Sequence, residues 1–190
     1  HQAGCFLLEL RSKGTSFSGH QTPRLWWRSY HLRWCPESLD HYNRVTDQQL
    51  EDRAVRGVDP ASGTTLDAFN KFPDGTPKPH KVGRNATAFT TDEALLQADD
   101  IVRSSMQFQK NIAEAKANGD LFVDAIELPL EEVFGSDYKN FVRGVTRLGS
   151  KRNPTGEIPT DFTDGTIKAI YRLDQAGSVK LHTLYPNPKN

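Results

Sequence analysis

The chain has 190 residues with 24 basic and 24 acidic side chains, so its formal net charge is zero. This length fits one domain, with or without an appendage, and the balanced charge lacks the basic excess that is typical of nucleic-acid-binding domains. No apolar run approaches the ~20 residues of a membrane-spanning helix, and no secretion signal is recognisable. Because the chain starts at His1 rather than at methionine, we expect a piece of a longer protein or a processed product.

Residues 1–37 are predicted to be a leader or linker, because their composition differs from that of the rest. All three tryptophans lie here, with five basic residues against two acidic ones. We expect this segment to pack on the body or to belong to an upstream domain; RNA contact by stacking and phosphate pairing is the alternative. Cys5 and Cys35 also lie here and are expected to be unpaired thiols, since no Cys/His cluster suggests zinc.

Residues 38–190 are predicted to form the functional domain, which opens with a short capped helix. The sequence from Thr46 to Gln49 has the pattern of a capping box, in which Thr46 caps the helix and Gln49 returns the hydrogen bond. The helix is expected to run to about Val55 and to stop before Gly57.

A long irregular loop is predicted next, because residues 57–87 are rich in Gly, Pro, Asp and Thr. A second capping box over Thr90–Glu93 opens the clearest helix of the chain. Its apolar residues recur every three or four positions as far as Ile112, and Asn118–Gly119 is expected to close it.

Four strand-like runs follow the helices, and the last two are joined by a predicted hairpin turn at Asp174–Gly177. Helices first and antiparallel strands later favour an α+β fold. The four runs are Leu121–Leu128, Phe141–Leu148, Thr166–Leu173 and Ser178–Tyr185.

Few catalytic motifs are available in this sequence. P-loop, GxGxxG, GxSxG and HExxH patterns are absent, and the acidic residues are too scattered for a two-metal nuclease, so we expect no cofactor and no metal. Histidine is the natural acid or base for phosphodiester transfer at neutral pH. Among six histidines, His41 lies just before the first predicted helix and Arg53 lies on it, which suits a cleft, although a solvated pair is the simpler interpretation.

Thr183 and Tyr185 lie two residues apart on the last predicted strand, so they share a face with Val179 and Leu181. This pattern suggests a face that packs in the core at its start and becomes polar at its end. There the two hydroxyls can bind a phosphate oxygen or a nucleobase. The β-propensity of Thr and Tyr is the simpler explanation. His182 falls on the opposite face and would transfer a proton only if that face lines the cleft.

Three segments resemble, in order, motifs of the bacterial RNase A-like toxins of the CdiA C-terminal type. His41–Arg53 is similar to the His-Val…Thr-Asp…Leu-x-x-Arg stretch that opens that family. Ala86–Ala94 resembles its Ala-Ser-Ser-Phe stretch, and Leu181–Pro186 resembles its terminal Thr-x-Tyr-Pro strand. Order and rough spacing agree over about 145 residues, and the 57–87 segment is longer than in the family.

The resemblance implies a kidney-shaped α+β fold like that of pancreatic RNase A, with N-terminal helices on a curved antiparallel sheet and no disulfides. It implies a metal-independent endoribonuclease. The implied catalytic residues are His41, Arg53, Thr183 and Tyr185. The candidates for the acid that protonates the leaving group are Tyr185, His182 and His80, in that order.

The resemblance also implies a toxin of contact-dependent or polymorphic interbacterial competition, delivered into the cytoplasm of a target cell to cut RNA, with tRNA as one candidate. A cognate immunity protein is the expected partner, so the expected states are a monomer and a toxin–immunity heterodimer, and no membrane partner is expected. Two alternatives stay open: another toxin enzyme, such as an ADP-ribosyltransferase acting on NAD, and a non-catalytic module that binds through the tryptophan-rich segment.

Overall fold

The structure is a computed structural model that describes residues 45–189. The predicted leader of residues 1–37, its boundary with the body, both cysteines and His41 lie outside the described residues. The helices are α1 (Asp47–Glu51), α2 (Asp92–Ser104), α3 (Met106–Asn118) and α4 (Leu130–Phe134). The strands are β1 (Leu66–Lys71), β2 (Pro77–Pro79), β3 (Asn85–Phe89), β4 (Ile126–Pro129), β5 (Val142–Gly149), β6 (Pro154–Pro159), β7 (Thr166–Leu173) and β8 (Val179–Asn187).

The strands form three small antiparallel sheets rather than the single sheet that was expected. One sheet pairs β1 with β2, the second has the order β3-β5-β6, and the third has the order β4-β7-β8. Every residue of β6 is exposed, so β6 is a solvent-facing edge strand. Helices combined with antiparallel sheets make this a mixed α/β arrangement, which is compatible with the predicted α+β class.

The main hydrophobic core lies between α2, α3 and the β4-β7-β8 sheet. Alternate residues of the central strand β7 point into it, and apolar residues of α2 cover them. The chief buried side chains are Leu95, Ala98, Val102, Phe108, Ile126, Ile167, Ala169, Tyr171 and Leu184.

A buried polar network crosses this core and ties α2 to β7. Asp99 is completely buried; its carboxylate accepts a hydrogen bond from the Tyr171 hydroxyl at 2.6 Å and one from Arg103 Nε at 2.7 Å. Burial, followed by the charge of Asp99, raises the pKa of Tyr171 well above its ordinary value, so this phenol stays protonated and donates. A satisfied buried network fixes how its elements pack, because leaving any member unpaired is costly.

The first helix follows its sequence signals closely. The Thr46 hydroxyl accepts from Gln49 N at 3.2 Å, and the Gln49 side chain accepts from Thr46 N at 2.9 Å, which confirms the predicted capping box. The helix continues beyond Glu51 as a wider π-helical turn over Asp52–Arg56. Gly57 ends it with a φ of 74°, a left-handed conformation that glycine adopts without strain.

The long second helix was predicted as one element and is in fact two. Thr91, not Thr90, caps α2 by accepting from Ala94 N at 3.1 Å. Ser105 then leaves the helical conformation and caps α3 by accepting from Phe108 N at 3.1 Å. The apolar spacing continues through the break, so periodicity alone did not reveal it, whereas the predicted end at Gly119 is confirmed.

The 57–87 segment was wrongly predicted as irregular, since it contains β1, β2 and the start of β3. Pro77 and Pro79 argued against a strand, but proline is tolerated in a short edge strand such as β2. The later strands agree better with prediction: β7 has the predicted bounds, and β5 and β8 differ by at most two residues at either end. The run Leu121–Leu128 shrinks to β4 and one isolated bridge from Phe122.

Replacing Asp99 with Asn should destabilise the fold by about 2–4 kcal/mol, because Arg103 and the Tyr171 hydroxyl lose a buried carboxylate. Asp100→Asn is the matched control on the next residue. Burial and the charge of Asp99 raise the pKa of Asp100, so neutralising it should leave stability unchanged or slightly increased. Urea denaturation at pH 7 measures both variants, and equal losses would show that the buried network does not stabilise the core.

Candidate functional site

A cleft of about 800 Å³ lies between the first helix, strand β3 and strand β8. The helix contributes Leu50 and Arg53, and the loop after it contributes Asp59, Pro60 and Ala61. The strands supply Asn85–Phe89 and Thr183–Asn187, and Phe69 of β1 lies at the same cleft. Elements from both ends of the described chain therefore build one concave surface.

Arg84 and Arg53 both line this cleft; Arg84 Nε donates to the Arg147 carbonyl at 3.2 Å, whereas the whole guanidinium of Arg53 is available to a ligand. Its side chain is half-buried, and within residues 45–189 no carboxylate or carbonyl pairs with its guanidinium. Arg56, three residues later, is instead engaged by Glu51 at 3.5 Å and by Asp52 at 2.8 Å. A partly desolvated guanidinium without a protein partner favours a bound anion, and its planar fork matches phosphate oxygens.

Two arginines of β5 hold the helix that carries Arg53. Arg143 donates to the Asp47 carboxylate and to the Val45 carbonyl, at the start of the helix. Arg147 Nη1 donates to the Ala54 carbonyl at 2.6 Å, at the end of the helix. Four residues apart on a strand, the two arginines project from the same face, so β5 fixes both ends of the helical segment.

Small side chains let this helix approach the sheet closely. Leu50 and Ala54 of the helical segment pack on Ala86 and Ala88 of β3, and all four are buried. Arg147 is also buried, with 7% of its surface exposed, and donates a second bond to the Gly83 carbonyl at 3.2 Å. The position of Arg53 is therefore set by packing and by charge-assisted hydrogen bonds.

A β-bulge in β8 decides which side chains face the cleft. Leu181 pairs with Tyr171 and Thr183 pairs with Ile170, so His182 is the inserted residue of the bulge. Val179 and Leu181 pack on the core before the bulge, whereas Leu184 is buried after it. The prediction that Thr183 and Tyr185 share a face with Val179 and Leu181 is therefore wrong.

Thr183 and Tyr185 both line the cleft because of this change of face. Neither hydroxyl has a hydrogen-bond partner within residues 45–189, so both are available to a ligand. Bulges are frequent next to active sites because they redirect side chains in this way.

Strands β3 and β8 are edge strands of different sheets, and a side-chain hydrogen bond connects them. The Thr87 hydroxyl donates to the Pro186 carbonyl at 2.5 Å. On the neighbouring strand, Gly144 has no room for a Cβ atom, which would lie 2.9 Å from the Ala86 carbonyl oxygen. The hydrogen bond from Thr87 to Pro186 holds β3, on which the helix of Arg53 packs, next to β8, which carries Tyr185.

Comparison with known proteins yielded no matching family model, no similar curated protein and no similar solved structure. The cleft is therefore interpreted from its own geometry. Among residues 45–189, no three His, Cys, Asp or Glu side chains gather as ligands for a metal ion. No helix in the same part of the chain is long and apolar enough to cross a membrane.

Three of the four predicted catalytic residues, Arg53, Thr183 and Tyr185, line this one cleft. The fourth, His41, lies outside the described residues. Of the three candidate acids, Tyr185 is in the cleft, whereas His182 lies against the Phe122 ring at 5.1 Å and does not line it. His80 does not line it either; its two ring nitrogens are buried without a hydrogen-bond partner in the described chain.

Sequence reasoning missed the residues that hold the cleft in shape, namely Arg143, Arg147 and Thr87. A signal for the arginines was present: two of them, four residues apart, lie in a run predicted as a strand, so they share one face. Buried arginine needs a partner, and helix-terminal carbonyls are suitable acceptors. The Thr87 contact joins residues 99 positions apart, and no local pattern encodes it.

A row of polar side chains extends from Tyr185 across the outer face of the third sheet. Tyr185 pairs with Lys168 on β7, and Lys168 pairs with Glu127 on β4. The Glu127 carboxylate accepts a hydrogen bond from the Lys168 ammonium at 2.7 Å, and this bond, together with the charge of Glu127, raises the pKa of Lys168. The Lys168–Glu127 ion pair is neutral overall, so it places a charged lysine beside Tyr185 without adding net charge to the cleft.

The β1–β2 hairpin contributes Phe69 to the cleft, and Asp67 organises the hairpin. Its carboxylate accepts hydrogen bonds from the backbone of Phe69 at 2.9 Å and of Asn70 at 2.8 Å, and from the Asn70 amide at 2.8 Å. His80 Nδ1 lies 3.7 Å away. Burial opposes the charged form, but the hydrogen bonds outweigh it and lower the pKa of Asp67 to about 2.

Arg147→Met should weaken the attachment of the helix by removing the bonds to the Ala54 and Gly83 carbonyls. We expect a loss of about 1–3 kcal/mol in the free energy of unfolding and faster amide hydrogen exchange over residues 47–56. Arg152→Met is the control, because Arg152 is exposed and lies only five positions after Arg147. Unchanged exchange in the Arg147 variant would contradict the proposed role of this side chain.

Asp67→Asn should destabilise the protein at pH 7 by about 1–2 kcal/mol, because the neutral amide accepts hydrogen bonds more weakly. The pKa of Asp67 is lowered in the folded state, so its contribution is present above about pH 4 and is lost as the pH falls toward 2. The difference between wild type and variant should therefore shrink over this range in urea denaturation. A difference that is independent of pH would contradict this assignment.

Proposed function

We propose that this chain is a metal-independent endoribonuclease that cleaves RNA through its own side chains. The observation that carries this proposal is the convergence of the half-buried Arg53 with the Thr183 and Tyr185 hydroxyls in one cleft, all three without a hydrogen-bond partner within residues 45–189. A guanidinium and neutral donors around a single point suit the charge of a phosphodiester transition state. The resemblance to RNase A-like toxins rests on the same residues.

In the proposed mechanism, His41 removes the proton from a ribose 2′-hydroxyl, and the resulting oxygen attacks the adjacent phosphorus. The bond from phosphorus to the 5′-oxygen breaks, and a 2′,3′-cyclic phosphate is left. Arg53 pairs with the non-bridging oxygens and offsets their growing charge. Thr183 donates a hydrogen bond to the phosphate, and Tyr185, the candidate acid that lines the cleft, protonates the leaving oxygen.

The length of the chain allows His41 to take part. Val45 lines the cleft, and Arg143 holds its carbonyl. His41 lies four positions before Val45, and four extended positions span at most ~14 Å. An imidazole within that distance of the cleft wall can reach a ribose whose phosphate is bound at Arg53.

We also propose an RNase A-like fold and a role as a toxin in contact-dependent or polymorphic interbacterial competition, with the domain delivered into the cytoplasm of a target cell. The two three-stranded antiparallel sheets that meet at β3 and β8, with helices packed on them, support the fold assignment. A producing cell needs protection from such an enzyme. We therefore propose a cognate immunity protein that covers the cleft with an acidic surface, complementary to Arg53 and Arg84.

Incubation of the purified chain with total cellular RNA tests the proposed activity. Wild type should cleave RNA and leave 2′,3′-cyclic phosphate ends, but it should spare DNA, which lacks the attacking hydroxyl. EDTA should not inhibit, because every proposed catalytic group belongs to the chain. Incubation with labelled NAD tests the alternative chemistry: transfer of ADP-ribose without RNA cleavage would overturn the proposal.

Single substitutions separate the roles within the cleft. Arg53→Ala should lower kcat/KM about 100- to 1,000-fold with unchanged thermal stability, since it removes charge stabilisation of the transition state. His41→Ala and Tyr185→Phe should also reduce the rate strongly. Arg56→Ala and Tyr138→Phe, which lie outside the cleft lining, are the matched controls and should retain activity. Full activity in the His41 variant would contradict the assignment of the base.

A further inference from the structure

A second arginine of the cleft, Arg84, takes no part in the proposed chemistry. It lies just before β3, is exposed, and lines the same cleft as Arg53. Its Nε donates to the Arg147 carbonyl at 3.2 Å, and among residues 45–189 no carboxylate pairs with its guanidinium. The outer end of this guanidinium is therefore available to an anion.

One buried residue, Arg147, connects Arg84 to the helix that carries Arg53. Arg147 N donates to the Arg84 carbonyl at 2.9 Å, and the Arg147 carbonyl accepts from Arg84 Nε. The Nη1 atom of Arg147 donates to the Gly83 carbonyl at 3.2 Å and to the Ala54 carbonyl at 2.6 Å. The backbones that carry both guanidiniums are thus fixed before a ligand binds, which reduces the entropy lost on binding.

The segment that carries Arg84 concentrates positive charge in a chain whose net charge is zero. With His80 counted as neutral, residues 71–84 contain four basic residues and one acidic residue, so their formal charge is 4 − 1 = +3. The other three basic residues are Lys71, Lys78 and Lys81, and none of them pairs with a carboxylate in the part of the chain that the structure describes. A local cationic excess attracts an anionic ligand even where the whole protein is neutral.

Two arginines in one cleft exceed what a single phosphodiester requires. A phosphodiester carries one negative charge, and one guanidinium fork can pair with its two non-bridging oxygens. A single strand of RNA carries a charge at every nucleotide, and proteins that bind single strands follow the backbone with a series of cations. Arg53 and Arg84 in one cleft therefore suit a ligand with two neighbouring phosphates.

We propose that Arg84 binds the phosphate next to the scissile phosphate that is held by Arg53. This inference rests on the proposed function and deepens it, because it names the substrate as a strand with at least two consecutive phosphates. The flanking phosphate does not react, so its contact with Arg84 is equally strong in the ground state and in the transition state. Arg84 is therefore a positioning residue that lowers KM and leaves kcat nearly unchanged.

The first test compares RNA substrates that differ by one phosphate. A dinucleotide has only the scissile phosphate. Two trinucleotides have a second phosphate on its 5′ side or its 3′ side, and each has one ribose 2′-hydroxyl, so only one bond can break. For wild type, KM should be roughly 5- to 20-fold lower with at least one trinucleotide than with the dinucleotide.

Substitutions at Arg84 separate its charge from its other contacts. Arg84→Gln should abolish the advantage of the trinucleotide and leave cleavage of the dinucleotide within about twofold of wild type. Arg84→Lys should keep most of the advantage, because the charge remains although the planar fork is lost. An Arg84→Gln variant that slows the dinucleotide as strongly as the trinucleotide would overturn the second phosphate site. Circular dichroism and thermal melting verify that each variant is folded.

The second test measures the Kd of a single-stranded oligonucleotide with 2′-O-methyl riboses, an uncleavable probe, at several salt concentrations. One phosphate contact contributes about 0.7 to the slope of log Kd against log salt, so Arg84→Gln should lower the slope by about this amount and Arg84→Lys should keep it. Arg172→Ala is the matched control, because Arg172 is exposed, lies over the Phe122 ring and is not part of the cleft lining. Equal losses of slope at Arg84 and Arg172 would contradict the proposed contact.

The two assays distinguish failure of this inference from failure of the proposed function. Cleavage of the dinucleotide and of both trinucleotides with equal KM would leave the ribonuclease and overturn the role of Arg84. A salt slope that depends on Arg84, without cleavage of any RNA by wild type, would overturn the enzyme and retain a phosphate-binding site. A wild-type chain that neither cleaves RNA nor binds the probe would overturn both, and the basic segment would then serve an acidic protein partner.

Discussion

The geometry of the cleft depends on the two arginines through which β5 holds the first helical segment. Arg143 binds the groups at its start, and Arg147 binds a carbonyl at its end. This segment is only ten residues long, too short to be stable in isolation, so its position comes from tertiary contacts. Among the residues that the structure describes, Arg143 and Arg147 form the structural bonds, and Arg53 has no partner there.

The opposite wall of the cleft depends on an inserted residue in β8. His182 shifts the alternation of the strand, so Leu181 and Leu184 both reach the core and Thr183 and Tyr185 turn to the cleft. The Thr87 hydroxyl then ties this strand to β3. The cleft is thus an interface between two sheets, and the Asp99 network packs the third sheet firmly on α2.

The sequence was most informative where a local signal decides the structure. The Thr46 capping box, the stop at Gly57 and the bounds of β7 follow from hydrogen-bonding groups and alternation within a few residues. It was least informative where distant contacts override such signals. The Ser105 break occurs inside an uninterrupted apolar pattern. The His182 bulge reverses the face predicted for Tyr185. Tyr185 was selected for the site by resemblance and not by that face.

The pairing of sheet edges has a further consequence for the behaviour of the protein in concentrated solution. Strands β3 and β8 cover each other, which leaves β6 as an exposed edge that could accept a strand from a second copy. Prolines at both of its ends, Pro154 and Pro159, remove backbone donors, and Glu157 places a charge between them. Such an edge resists the intermolecular strand pairing that starts aggregation, so this sheet can remain open on one side without promoting self-association.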